Sequence, residues 1–124
     1  MAANRIVAIV DDDEAVRTAT VSLVRSLGYE VRSYASAEAF LRDDDEQVDC
    51  LVTDVQMPGL DGTALQRRLR HLGRRYPVVF VTAFPDDSVR ERAIADGAFC
   101  YLGKPFSGDE FITCLERALA GGTR

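Results

Sequence analysis

Chemically active side chains recur in one local context, the end of a short apolar run. Asp11, Asp12 and Asp13 follow Ile6-Val7-Ala8-Ile9-Val10, Asp54 follows Cys50-Leu51-Val52-Thr53, Thr82 follows Val78 to Val81, and Lys104 stands just after Phe99 to Leu102. Carboxylates gathered at one place repel: two unit charges about 4 Å apart cost roughly 4 kcal/mol at an effective dielectric of 20, so they must protonate, spread or bind a cation. A hard divalent ion is the natural answer. Mg²⁺, with Mn²⁺ as a substitute, suits one or two carboxylates plus waters and phosphate oxygens, and the lack of further clustered acids disfavours a calcium cage. An aspartate beside such a cation can attack phosphorus and form an acyl phosphate, provided positive charge surrounds the transferring oxygens. Lys104 supplies that charge. It is the only lysine in a chain with 15 basic residues. Its compact ammonium can follow one oxygen, whereas a planar guanidinium fork would demand a wider approach. Thr82 is the weakest of these signals, because threonine is common in strands; its hydroxyl gains meaning only from sharing the edge.

The chain contains its own control. The tetrapeptide Asp-Asp-Asp-Glu occurs at Asp11 to Glu14 and again at Asp43 to Glu46. The first copy interrupts a buried strand, while the second trails a helix into a surface turn where solvated charge is the default. Chemistry is assigned only to the first.

The elements that must position these residues follow from periodicity. Apolar runs of strand length alternate with segments of helical period, the pattern of an α/β domain built on a parallel sheet. Residues 6–10 read as a strand covered on both faces, followed by a helix carrying Val16, Thr20, Leu23 and Leu27 and stopped at Gly28. Glu30 to Tyr34 suits a sheet edge, and Ser36 can cap a helix bearing Ala37, Phe40 and Leu41. The third strand ends at Asp54. A loop with Met57-Pro58-Gly59 and Asp61-Gly62 then leads to a helix marked by Leu65, Leu69 and Leu72. A fourth strand to Val81 precedes a helix with Val89, Ala93 and Ile94, and a fifth, Phe99 to Leu102, precedes one with Phe111, Ile112, Leu115 and Leu119. The expected fold is a doubly wound (βα)5 three-layer sandwich, flavodoxin-like, with parallel strand order 2-1-3-4-5. In that order strands one and three meet at the switch point and their terminal carboxylates converge.

Composition narrows the classes. The chain of 124 residues fits one domain, and no apolar run approaches the roughly 20 residues of a membrane span. The N-terminus lacks the hydrophobic region of a signal peptide, so a cytoplasmic location is expected, with no membrane contact. A net charge of -5 argues against this domain gripping nucleic acid by itself. Arg67, Arg68, Arg70, Arg74 and Arg75, with the lone His71, crowd one helix end, where cations complement the macrodipole on a solvated face. Cys50, Cys100 and Cys114 show no C-x-x-C spacing, and neither a zinc site nor a disulfide framework is indicated.

The aspartates after strand one, Asp54 ahead of Met57-Pro58-Gly59, Thr82-Ala83 and Lys104-Pro105-Phe106 together resemble the response regulator receiver family of two-component signalling. The likeness spans residues 1–120, with 121–124 as a tail or the start of a linker to an output domain. Val10 to Arg17 and Tyr34 to Leu41 look most like the FixJ-like subgroup, whose members often carry a helix-turn-helix output domain. The resemblance implies a phosphoacceptor, not a turnover enzyme: Asp54 takes a phosphoryl group from a sensor histidine kinase by self-catalysed transfer and loses it slowly. Asp12, Asp54 and the Gln56 backbone carbonyl would bind Mg²⁺, with Asp11 supporting the metal through water. Thr82 would hydrogen-bond the phosphoryl group, Lys104 would pair with it, and Tyr101 would turn inward on activation. The Lys104-Pro105 peptide is expected to be cis. Phosphorylation would reshape the face of helix four and strand five, used for homodimerisation and for controlling transcription through an output domain.

A stand-alone receiver acting as a phosphate shuttle or interaction module is the alternative reading. A phosphohydrolase of the haloacid dehalogenase type also uses an aspartate nucleophile, but Glu14 and Ala15 stand where that family wants small or hydroxyl residues. A flavodoxin-like anion-binding loop is opposed by three aspartates. Gln56 and Phe84 flank the expected site, and Phe84 departs from the smaller or more polar residues usual in the subgroup. Replacing Phe84→Ala is expected to change the rate at which water removes the phosphoryl group. Equal phosphoryl lifetimes in the two proteins would refute that role.

Overall fold

The computed structural model describes residues 5–43, 47–104 and 106–121. Continuous apolar runs become strands because only a sheet covered on both faces can bury every residue of such a run. β1 (Ile6–Val10), β3 (Cys50–Asp54) and β4 (Val78–Thr82) are buried at every position. β2 (Glu30–Tyr34) and β5 (Cys100–Gly103) are partly exposed and form the two edges. All pairings are parallel, in the order β2-β1-β3-β4-β5.

Successive strand residues face opposite sides of the sheet, so each strand feeds two cores. Ala8, Val10, Leu51 and Phe80 pack with Ala37, Phe40, Leu65, Leu69 and Ala93, drawn from α2 (Ala37–Asp43), α3 (Gly62–His71) and α4 (Asp87–Ala95). Val7, Ile9, Val52, Val79 and Val81 pack on the other face with Val24 of α1 (Glu14–Ser26) and Phe111, Leu115 and Leu119 of α5 (Gly108–Gly121). The result is the expected three-layer (βα)5 sandwich.

Helix starts match their caps. Asp13, Asp61 and Asp86 accept bonds from first-turn amides of α1, α3 and α4, and Ser36 Oγ accepts from Ala39 N at the start of α2. Asp13 is therefore a structural member of the first acidic run.

Several details differ from the pattern-based reading. Leu72 is not part of the α3 core stripe; it caps the helix and is 46% exposed, while Gln66 takes the buried position beside Leu65 and Leu69. Ile94 and Phe99 are likewise exposed, at 44% and 42%. The helical period selects a face but not its depth at Leu72 and Ile94, while Phe99 falls just ahead of β5, which begins at Cys100, with its amide donating to Val78 O at 2.8 Å. The cysteine reading needs correction too. Cys100 and Cys114 are joined as a disulfide, and Cys50 is a buried free thiol. A separation of 14 residues concealed the pair because α5 folds back over β5, bringing the two Cα atoms to 6.6 Å. The thiol of Cys50, deep in the sheet, is pushed up to about 12 by burial. Residues 44–46, most of the second acidic run, and Pro105 of the expected cis peptide lie outside the described residues.

One close approach ties the fold to the end of β3. Gly62 N donates to Val55 O at 2.9 Å, and a Cβ at this glycine would collide with the carbonyl oxygen of Asp54 and stand 3.0 Å from Phe80 Cε1. Backbone and a fully buried ring cannot yield cheaply. Gly62→Ala is expected to destabilise the domain by about 1–3 kcal/mol in urea unfolding; an unchanged midpoint would show that α3 can slide away from β3.

A converging acid and lysine site

The strand order makes β1 and β3 neighbours with the chain leaving them in opposite directions, which opens a crevice beyond their carboxyl ends. Asp11 is the first residue after β1. Its amide donates to Tyr34 O at 3.1 Å, its carbonyl accepts from Arg17 Nη1 at 2.7 Å, and its Oδ1 accepts from Asp13 N at 2.9 Å. The backbone is thereby pinned from β2 and α1. Asp54 ends β3, and its Oδ1 accepts a long bond from Gln56 N at 3.3 Å. Asp12 is exposed, whereas Asp11 and Asp54 are buried. Carboxylate oxygens of all three lie within 4.8 Å of one another.

Lys104 reaches this group from the far side. Its amide donates to Thr82 O at 2.6 Å, continuing the β4–β5 ladder past Gly103. From there Nζ bridges Asp11 Oδ2 at 3.3 Å and Asp54 Oδ2 at 3.2 Å. Burial alone would lower the lysine, but the carboxylates of Asp11 and Asp54 more than offset it and hold its ammonium above the ordinary value. Asp54 is raised as well. Burial is the main cause, and the neighbouring Asp11 adds to it, against the opposing pull of Lys104. The two shifts differ in origin: the neighbouring carboxylates hold the proton on Lys104, whereas loss of water around Asp54 outweighs the pull of that one ammonium.

The donor set fits a hard divalent cation. Three carboxylates and one ammonium give the group an excess of acids over bases in a partly dehydrated crevice. Oxygen-only ligands with open approach through the exposed Asp12 suit an ion that keeps several waters.

Thr82 is fully buried at the end of β4. Its hydroxyl donates to Gln56 Oε1 at 2.6 Å and accepts from Phe84 N at 3.1 Å. Gln56 is exposed at the rim, and Phe84, 70% exposed, stands on the loop before α4. Tyr101 on β5 is half-buried, with its ring 6.4 Å from that of Phe80 and its hydroxyl accepting from Asp86 N at 3.3 Å. Every described residue expected to take part in phosphoryl chemistry or switching thus lies at this edge or on the adjoining α4–β5 side. Three supporting residues were not singled out. Arg17 holds the Asp11 carbonyl, Gly62 backs Asp54, and Glu38 accepts from Leu60 N at 2.9 Å to brace the loop after β3. The basic cluster is apart from the site. Arg67, Arg68, Arg70 and His71 are exposed, and Arg70 pairs with Asp96 at 3.6 Å.

Comparison with known proteins agrees with this geometry. The response regulator receiver domain family matches residues 7–116. The response regulator TmoT of Ectopseudomonas mendocina is 39% identical over 92% of this chain and 52% of its own length. Nodulation protein W of Bradyrhizobium diazoefficiens is 37% identical over 91% of this chain and 50% of its own. The chain therefore spans about half the length of these relatives. Among solved structures, FixJ-N has a TM-score of 0.86 at 34% identity, covering 96% of both chains. The response regulator StyR has a TM-score of 0.89 at 36% identity, covering 97% of this chain and 61% of its own. With a matching sequence pattern over most of its length and the same five-stranded order, the chain belongs to the response regulator receiver domain family.

Proposed function

We propose that Asp54 is the phosphoacceptor of a two-component relay. The observation that carries this is the bridge from Lys104 Nζ to both Asp11 and Asp54, which puts a nucleophilic carboxylate, a point cation and a dicarboxylate cation site within one small volume. A carboxylate oxygen of Asp54 attacks phosphorus of a phosphohistidine on a sensor kinase; the phosphorus–nitrogen bond breaks, its electron pair returns to the imidazole, and an acyl phosphate remains. Lys104 exchanges its contact with Asp54 for one with a phosphoryl oxygen. Asp11, Asp12, Asp54 and the Gln56 carbonyl would hold Mg²⁺, which would supply positive charge to offset that of the transferring oxygens. The buried position of Asp54 limits the approach of water, in keeping with slow autodephosphorylation.

Thr82 then turns to donate its hydroxyl proton to the phosphoryl group, and Tyr101 moves inward. Phe84, Ile94 and Phe99, all exposed, lie on α4 and its flanking segments. They offer that face to a second phosphorylated copy or to an output domain controlling transcription. Among the described residues no helix is long and apolar enough to cross a membrane, which suits a partner kinase reached from the cytoplasm. Equal sedimentation mass with and without beryllofluoride would remove the dimer.

Incubation with acetyl phosphate and Mg²⁺ is expected to add one hydroxylamine-labile phosphoryl group to the wild type, seen by intact mass, and none to Asp54→Asn. Labelling of the variant would place the nucleophile elsewhere. Lys104→Ala is expected to slow labelling by about 10²–10³-fold, the usual loss when a preorganised charge partner of the transition state is removed. Mg²⁺ at about tenfold its dissociation constant is expected to stabilise the wild type by about 1.4 kcal/mol in urea unfolding. The same ion should stabilise Asp12→Asn much less, and equal gains would exclude Asp12 as a ligand.

A further inference from the structure

A hydroxyl has one proton to donate, and in this structure the proton of Thr82 is already committed. It goes to Gln56 Oε1 across 2.6 Å, while the Thr82 oxygen accepts the amide of Phe84 at 3.1 Å. Thr82 is fully buried, and a β-branched side chain has few accessible rotamers. It cannot offer its proton to a group on Asp54 without surrendering the bond to Gln56. Gln56 in turn is tied to the acceptor aspartate itself, its amide donating to Asp54 Oδ1 at 3.3 Å. The same short segment therefore touches both ends of the proposed switch.

We infer that the Gln56 side chain is a latch that holds Thr82 in the unphosphorylated arrangement by competing with the phosphoryl group for its single proton. The inference rests on the phosphoacceptor reading of Asp54 and assigns Gln56 a positioning role distinct from any effect on water access. Release has two local consequences. Gln56 Oε1, at the rim, regains water, so breaking the bond strands no acceptor in the interior. Phe84 N loses its hydroxyl partner, which loosens the loop that carries the exposed Phe84 ring toward α4. Occupancy of Asp54 is thus conveyed to the loop before α4 by the turning of one hydroxyl, which leaves both Gln56 and the Phe84 amide. Asp86, which caps α4 and also bonds the Tyr101 hydroxyl, lies two residues farther along that loop.

The latch lowers affinity for a phosphoryl group by the free energy of one neutral hydrogen bond, about 1 ± 0.5 kcal/mol, or roughly 2- to 10-fold. Gln56→Met keeps the length and bulk of the side chain while removing the amide oxygen. The test is titration with beryllofluoride in Mg²⁺, followed by amide NMR signals, on the wild type, Gln56→Met, Thr82→Ala and the double variant. Gln56→Met is expected to bind about 2- to 10-fold more tightly than the wild type, and the gain is expected to vanish in the Thr82→Ala background. In the ligand-free protein, exchange of the Thr82 hydroxyl proton with water is expected to be faster in Gln56→Met. Equal affinities of wild type and Gln56→Met would overturn the latch, as would an equal gain with Thr82→Ala, which would mean that Gln56 acts by bulk alone. Wild type that fails to bind beryllofluoride, yet shows the hydroxyl exchange difference, would overturn the phosphoacceptor reading and the competition that depends on it, leaving only the resting bond.

Discussion

The bridge from Lys104 to Asp11 and Asp54 is the interaction on which the site depends. Its members come from three strand ends, and no two of them are local in the chain. Left to itself the group would spread or take up protons, because buried like charges are costly. The fold prevents spreading. Asp11 is held at its amide by the Tyr34 carbonyl and at its carbonyl by the Arg17 guanidinium, Asp54 terminates a strand buried at every position, and Lys104 is carried inward by the last rung of the β4–β5 ladder. The carboxylates are kept short of compensation, and that shortage is what gives the site its appetite for cations.

The same constraint explains why the two cores are built as they are. A parallel sheet needs helices on both faces, and each strand must feed both. The buried residues of β1, β3 and β4 do so along the whole of each strand up to the point where they give way to Asp11, Asp54 and Thr82. Close packing then reaches the chemistry directly: Gly62 lets the start of α3 approach the carbonyl of Asp54 and the ring of Phe80, so a methyl group there would press on the acceptor. Stability and function share atoms at this edge.

The α4–β5 side is linked to the site by hydrogen bonds rather than by packing alone. Thr82 contacts Gln56 through its proton and Phe84 through its oxygen, and Asp86 contacts both the start of α4 and Tyr101. Such bonds have discrete partners and can be exchanged, which is the property a two-state element requires.

Much of this was legible in the residues alone. The change from apolar to polar or charged residues at Asp11, Asp54, Thr82 and Lys104 identified the strand ends, because such groups are costly to bury deep in a sheet. The lone lysine marked itself by composition. The edge position of β2 and the serine cap of α2 likewise follow from local rules of burial and hydrogen bonding, whereas β5 begins one residue later than its apolar run suggests and the aspartate caps emerge only in the structure. Depth and partnership do not follow from such rules. Leu72 is exposed where its spacing placed it in the core, Gln66 is buried, and Cys100 meets Cys114 only because α5 folds back across β5. Arg17, Gly62 and the bond between Gln56 and Thr82 were invisible for the same reason. Residue type and spacing determine which groups can do chemistry and which strand end carries them, since those depend on local periodicity. Which oxygen receives which proton depends on distances between segments far apart in the chain, and only the packed tertiary structure decides those.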